Sequence, residues 1–190
     1  MATTTWTLHA GDDPANTLTL RTGVAGRAAR MGHRLTLTMA SWQITVDSDG
    51  DRPVSAAVIV DVDSLAVRSG EGGLTPLSGP EKAMVRTNAL KTLNAKKFPT
   101  VEFRPETITH DGDGGDGGVY ALRGPLTVHG VSRPIEVAVT VSDNGDHWEL
   151  STHSEVSQAA HHIKPYSMAM GAMKVADSVG VEFSARLPKS

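Results

Sequence analysis

Four of the eight histidines in this 190-residue chain, His33, His153, His161 and His162, are the first candidates for chemistry. Imidazole nitrogens bind zinc and haem iron, so a His33/His161/His162 cluster would make a metal or haem protein, or an enzyme. The spacing argues against it. His161 and His162 are adjacent, and neighbours on a strand point to opposite faces. No H-E-x-x-H pair sets two imidazoles on one helical face. Surface histidines are the simpler reading. Asp111, Asp113 and Asp116 evoke a calcium loop. An EF-hand needs a fifth-position carboxylate, Gly at the sixth position and Glu at the twelfth, where this chain has Gly115, Asp116 and Leu122. That stretch reads as a glycine-rich hairpin loop. Arg123, Glu136 and His153 form a polar stripe that solvated cross-strand pairing explains without acid–base catalysis. There is no cysteine, no G-x-S-x-G elbow and no P-loop. The expectation is no enzyme, no catalytic residue and no metal.

The elements around these residues are mostly strands. Tyr120 to Leu150 reads as a meander with two turns, His129-Gly130 and Asn144-Gly145. Both turns carry residues that accept positive φ. The first turn sets Val128 against Val131, Leu122 against Val137 and Tyr120 against Val139. The other face pairs Thr127 with Ser132 and Arg123 with Glu136. Pro125 falls opposite Pro134, and each lacks a donor towards its outer neighbour, which predicts a bulge or gap there. A two-residue second turn would set Val141 against Trp148, Val139 against Leu150 and Glu136 against His153.

Leu35, Leu37 and Met39 alternate in phase, then Trp42, Ile44 and Val46 take over. That slip predicts a bulge or a tight bend near Ala40-Ser41, of the kind that curls a sheet. Val54, Ala56, Val58, Val60 and Val62 share one strand face, as do Val101 and Phe103 in Thr100–Ile108, and Val179 to Leu187 in the last strand. One helix follows Ser78, with Pro80 in its first turn and Glu81 completing a capping box. Val85, Ala89 and Leu93 form its stripe. The segment from Gly23 to Gly32 fits either a loop or a turn of helix. With 39% hydrophobic residues, the chain has enough apolar surface for one domain over residues 1–190. A net charge of −3 gives no argument for nucleic acid or an anionic membrane surface. No apolar run is long enough to span a bilayer, and no signal peptide is visible, so the expected location is cytoplasmic.

Three stretches together resemble the YceI-like family. They are Asn88-Ala-Leu-Lys-Thr-Leu93 with Phe98-Pro-Thr-Val-Glu-Phe103, then Leu122-Arg-Gly-Pro-Leu-Thr-Val-His-Gly-Val-Ser-Arg-Pro134, then Ile163-Lys-Pro-Tyr166 through Gly171-Ala-Met-Lys-Val-Ala-Asp177. Gly32-His33-Arg-Leu35 resembles one branch of that family, many of whose members are exported. The resemblance implies a mainly all-β fold, an antiparallel, eight-stranded, lipocalin-like barrel with one covering α-helix. It also implies that a polyisoprenoid, isoprenoid quinone or similar amphiphilic lipid lies in an apolar tunnel, as partner and as the only bound small molecule.

The expected tunnel wall is Leu35, Leu37, Met39, Trp42, Ile44, Val58, Val60 and Phe103, then Tyr120, Leu122, Val137, Val139, Trp148 and Leu150. Tyr166, Met168, Met170 and Met173 would form a pliable lip, because methionine adapts to flexible apolar partners. The head group would meet His33, His161, His162 or Lys164. A fully packed barrel acting as a scaffold is the bland alternative, and a homodimer stays open.

Overall fold

The computed structural model describes residues 3–50, 52–111 and 117–189. In chain order the elements are β1 (Thr3–His9), β2 (Thr17–Ala25), β3 (His33–Met39), β4 (Trp42–Asp49), β5 (Arg52–Asp61), β6 (Leu65–Gly72) and α1 (Gly79–Thr92). Then come β7 (Thr100–Phe103), β8 (Thr107–Asp111), β9 (Gly117–Val128), β10 (Val131–Asp143), β11 (His147–Ser157), β12 (Ser167–Met168) and β13 (Met173–Pro188). All thirteen strands belong to one antiparallel sheet of order β1-β4-β5-β7-β9-β10-β11-β13-β2-β3-β6, with β8 on β9 and β12 on β13.

The sheet curls into a barrel-like shell, but among the described residues no ladder joins β1 to β6. The two end strands meet through side chains instead. Leu8 of β1 and Leu65 of β6 share a buried cluster with Leu37, Met39, Trp42 and Val60. The count of eight strands is corrected to thirteen among the described residues, because the chain breaks where it must turn. Ala40-Ser41 is a corner, not a bulge: β3 lies between β2 and β6, whereas β4 lies between β1 and β5.

The first meander turn forms as the sequence predicts. Val128 faces Val131, Pro125 faces Pro134 and Arg123 faces Glu136, with the last two ion-paired. His129 and Gly130 take φ of 54° and 72°. Both proline gaps are present. Opposite Pro125 the outer strand breaks into β7 and β8, and Arg104 N–H and Glu106 N–H donate to Pro125 O and Arg123 O across the break. A Cβ at Gly124 would lie 2.5 Å from Arg104 O, so only glycine admits that crossing. Outside Pro134, the β10–β11 ladder runs only from Val139/Thr152 to Asp143/Trp148.

The second turn differs by two residues. Val141 faces Leu150 and Asp143 faces Trp148, closing a four-residue loop, so Glu136 does not pair with His153. A shift of two keeps every apolar side chain on the same face. It also separates Asp143 from Asp146 and lets Lys189 reach the Asp143 carboxylate at 2.5 Å. Val54 is likewise corrected. It is the extra residue of a bulge between the Asp47/Ser55 and Ser48/Pro53 pairs, and its side chain is exposed.

Helix α1 begins as its capping box requires: Ser78 N–H donates to Glu81 Oε2 at 2.7 Å, and Glu81 N–H donates to Ser78 Oγ. The bond from Ser78 N–H is the main reason the Glu81 carboxyl sits below its ordinary range. Asn94 takes φ of 49° just past the helix end. Ala29–Met31 is a single 3-10 turn, which settles the segment the sequence left open.

Candidate functional site: an apolar cavity with an exposed lip

The inner face of the shell encloses a cavity of about 810 Å³. That lies within the roughly 300–1,000 Å³ typical of small-molecule sites. The wall follows from strand alternation, since every second residue points inward. Leu35, Leu37 and Met39 line it from β3, and Trp42 and Ile44 from β4. Val58 and Val60 line it from β5, and Phe103 from β7. Tyr120, Leu122, Val137, Val139, Trp148 and Leu150 line it from the meander. Most of these side chains are only half-buried, because their inner surface meets the cavity and not a packed neighbour.

The bottom is different. Trp42 stacks edge-on against Phe183 at 5.3 Å, within the Leu8–Leu65 cluster, and is 4% exposed. The interior is therefore packed in one region and open elsewhere, which is not the filled barrel of the scaffold reading.

Helix α1 covers part of the opening with Val85, Ala89 and Leu93, and none of its residues is buried. Asn88 and Thr92 bring two polar side chains to the same inner face. Other polar groups on the wall are few: Thr22, His33, Ser48, Thr152, Ser154, Ser157, Gln158 and Lys174. The indole N–H of Trp42 and the hydroxyl of Thr152 are buried without a hydrogen-bond partner among the described residues.

The methionine loop divides. Tyr166, Met168 and Met173 line the cavity, whereas Met170 does not and is fully exposed. Met170 points away because Ala169, Met170 and Gly171 take φ of 49°, 55° and 85°, a left-handed turn that throws the side chain outward. Met31, from the 3-10 turn before β3, completes this lip. It lines the cavity while 57% exposed, as Tyr166 and Met168 do at 37% and 49%.

The polar candidates also divide. His33 lines the cavity, with Nε2 2.7 Å from Thr75 O. His161 is buried off the cavity, its ring nitrogens facing Ser157 O and Leu126 O at 3.1 and 3.3 Å. It fills the space where β10 and β11 splay apart. His162 sits in a left-handed turn and meets Arg133 on the outside, and Lys164 is exposed and does not line the cavity. The three histidines of the metal or haem reading are not assembled. No group of three or more His, Cys, Asp or Glu that could hold a metal occurs among the described residues. Asp113 and Asp116 lie outside the described residues.

Alternation reveals the meander and the β3–β5 wall. It missed inward residues on β2 and β13, Leu18, Leu20, Val181 and Phe183, though their phase was visible, and it missed Ile163, buried on an irregular segment.

A family model described as a YceI-like domain matches residues 16–187. The chain belongs to the YceI-like family. Burkholderia cenocepacia BcnA has a similar structure, with a TM-score of 0.65 at 19% identity over 90% of this chain and 95% of that one. The Campylobacter jejuni YCEI protein is also similar, with a TM-score of 0.58 at 13% identity over 81% of this chain and 84% of that one. At those identities the likeness establishes the shared YceI lipocalin-like fold. No curated protein sequence matches the chain. No helix of the described residues is long and apolar enough to cross a membrane.

Proposed function

We propose that this YceI-like chain is a non-catalytic carrier that holds the apolar tail of a polyisoprenoid, isoprenoid quinone or similar amphiphile inside the shell. The single observation that carries the reading is the 810 Å³ cavity walled by apolar strand faces. Its chemistry is transfer of hydrocarbon out of water, roughly 25 cal/mol per Å² buried. A tail hiding about 400 Å² would gain on the order of 10 kcal/mol, before the ordering costs of binding. The polar groups on α1, Asn88 and Thr92, with His33 at the rim, suit a small head group better than a reaction.

Native mass spectrometry of the purified protein tests this, with circular dichroism of Val139→Asp as its partner. Val139 lines the cavity between Tyr120 and Thr152 on the neighbouring strands. An aspartate there should leave a folded protein that has lost its lipid-sized adduct, because a carboxylate in an apolar site is strongly disfavoured. A folded variant that keeps the adduct would remove Val139 from the site. A wild-type protein that neither carries nor takes up a long-chain polyprenol would remove the carrier function.

A further inference from the structure

The lip of the cavity combines two features. The first is exposed apolar surface: Met31, Tyr166, Met168 and Met170, the last wholly in solvent. The second is charge of one sign. The two segments that build the lip, residues 26–34 and 164–174, contain Arg27, Arg30, Arg34, Lys164 and Lys174 and not one Asp or Glu, in a chain whose net charge is −3. All five cations are exposed. Among the described residues only Arg34 has an ionic partner, Glu71, at 3.9 Å.

The segments are adjacent in space. Ala28 N–H donates to Ala172 O at 2.8 Å. A Cβ on Gly32 would meet Met173 Sδ at 2.9 Å, and Lys174 pairs with Ser167 and Ala25.

The backbone is also strained there. Ala169 and Met170 hold positive φ without being glycine, a conformation that is disfavoured for such residues and persists where its surroundings impose it. Its effect is to present a methionine that touches nothing in its own fold.

We infer that this lip docks on an anionic lipid bilayer, with Met168 and Met170 entering the interfacial layer and the five cations meeting the head-group charge. Apolar side chains flanked by Lys and Arg are the pattern of surface-lying membrane contacts. Basic residues close to an anionic leaflet are each attracted to it over about a Debye length. Charge complementarity selects the partner: a neutral apolar protein groove would not need five cations, and a soluble polyanion would not need exposed methionines. The same lip opens on the cavity, so docking would bring an amphiphile's path from bilayer to shell under one cover. The docking itself stands apart from cavity occupancy. Vesicle binding can succeed where the carrier function fails, and the reverse.

Flotation of the full chain with phosphatidylcholine vesicles, with and without about 30% phosphatidylglycerol, tests this. The wild type should float with the anionic vesicles only, and high salt should release it. Arg27→Glu with Arg30→Glu should lower partitioning about tenfold or more. Met170→Asp should lower it severalfold with an unchanged circular dichroism spectrum. Asp49→Lys, on the exposed β4–β5 hairpin, shifts net charge without touching the lip and should change little. Equal binding to neutral vesicles overturns the inference. So does full binding by the charge-reversed or Met170→Asp variants, or a gain from Asp49→Lys as large as the loss from the lip reversals. Binding to heparin with no flotation would assign the cations to a soluble polyanion and overturn it too.

Discussion

Strand β13 joins two ends of the molecule that handle polar and apolar groups in opposite ways. Near Met173 and Lys174 lies the lip, with its exposed methionines and its cations mostly unpaired. Near Leu187 and Pro188 lies the β10–β11 hairpin, where charges are answered. Lys189 meets Asp143 at 2.5 Å and lies 4.1 Å above the Trp148 ring. His147 is 2.5 Å from Asp146, and Arg186 is 3.7 Å from Glu149. Both ends belong to one continuous sheet, so the contrast does not come from the fold. A charged group paired within its own chain is already satisfied and contributes to local order. An exposed group with no ionic partner in its own chain is held by water and stays available to a partner. The hairpin therefore reads as structure and the lip as a contact.

The contrast is broken or sharpened by substitution at each end. The largest effect is expected at the hairpin end. Trp148 lines the cavity and packs beneath Lys189, so Trp148→Ala should destabilise by roughly 2–3 kcal/mol, less than a fully buried tryptophan would. Met170→Ala at the lip should stay within about 0.5 kcal/mol of wild type, since it removes no packing. Urea melts of the two variants decide the matter. A loss at Met170 equal to that at Trp148 would make the lip a structural element.

Next in size is Ser78→Ala, which removes the cap of the helix over the cavity and should cost about 1 kcal/mol. A thermal melt with no loss would separate the observed capping bonds from any contribution to stability. Lys189→Ala should follow, with a smaller loss, and should return the Asp143 carboxyl towards its ordinary range. The hydrogen bond from Lys189 is the largest cause of its lowering, ahead of that from Gly145 N–H. Titration of Asp143 followed by carbon NMR measures this directly.

The smallest effect is a pH dependence confined to the hairpin. The hydrogen bond to Asp146 raises His147 above 6.5, and burial opposes it. The contribution of protonated His147 is thus fully present below about 6.5 and is lost as pH rises through its raised folded value. The hydrogen bond to His147 also holds Asp146 below its ordinary 3.8. Its contribution is present above 3.8 and lost as pH falls through the lowered folded value. Amide protection factors around residues 143–149, which divide out the intrinsic pH dependence of exchange, should therefore be highest between those limits. A flat profile would show that the pair does nothing for the hairpin.

Local chemistry made much of this molecule legible before its structure. The His129-Gly130 turn, the β9–β10 register, the gaps outside Pro125 and Pro134 and the capping box at Ser78 all depend on residues close in sequence. Alternation over β3, β4 and the meander placed side chains such as Leu37, Trp42, Leu122 and Val139 on the inner face, because a period of two needs no knowledge of the partner strand.

What failed were statements that depend on distant residues. The second hairpin register differs by two, and Lys189, far along the chain, meets Asp143 in that register. His161 reads as a rim histidine in sequence. It is buried because Leu126 O and the splayed end of β10 lie beside it only in the fold. The net charge of −3 concealed a cationic lip, since residues 26–34 and 164–174 meet only when β2, β12 and β13 pair. Turn geometry and side-chain phase are decided by the chain itself. Which groups are buried, paired or left facing solvent is decided by contacts between segments far apart, and those exist only once the sheet has curled around its cavity.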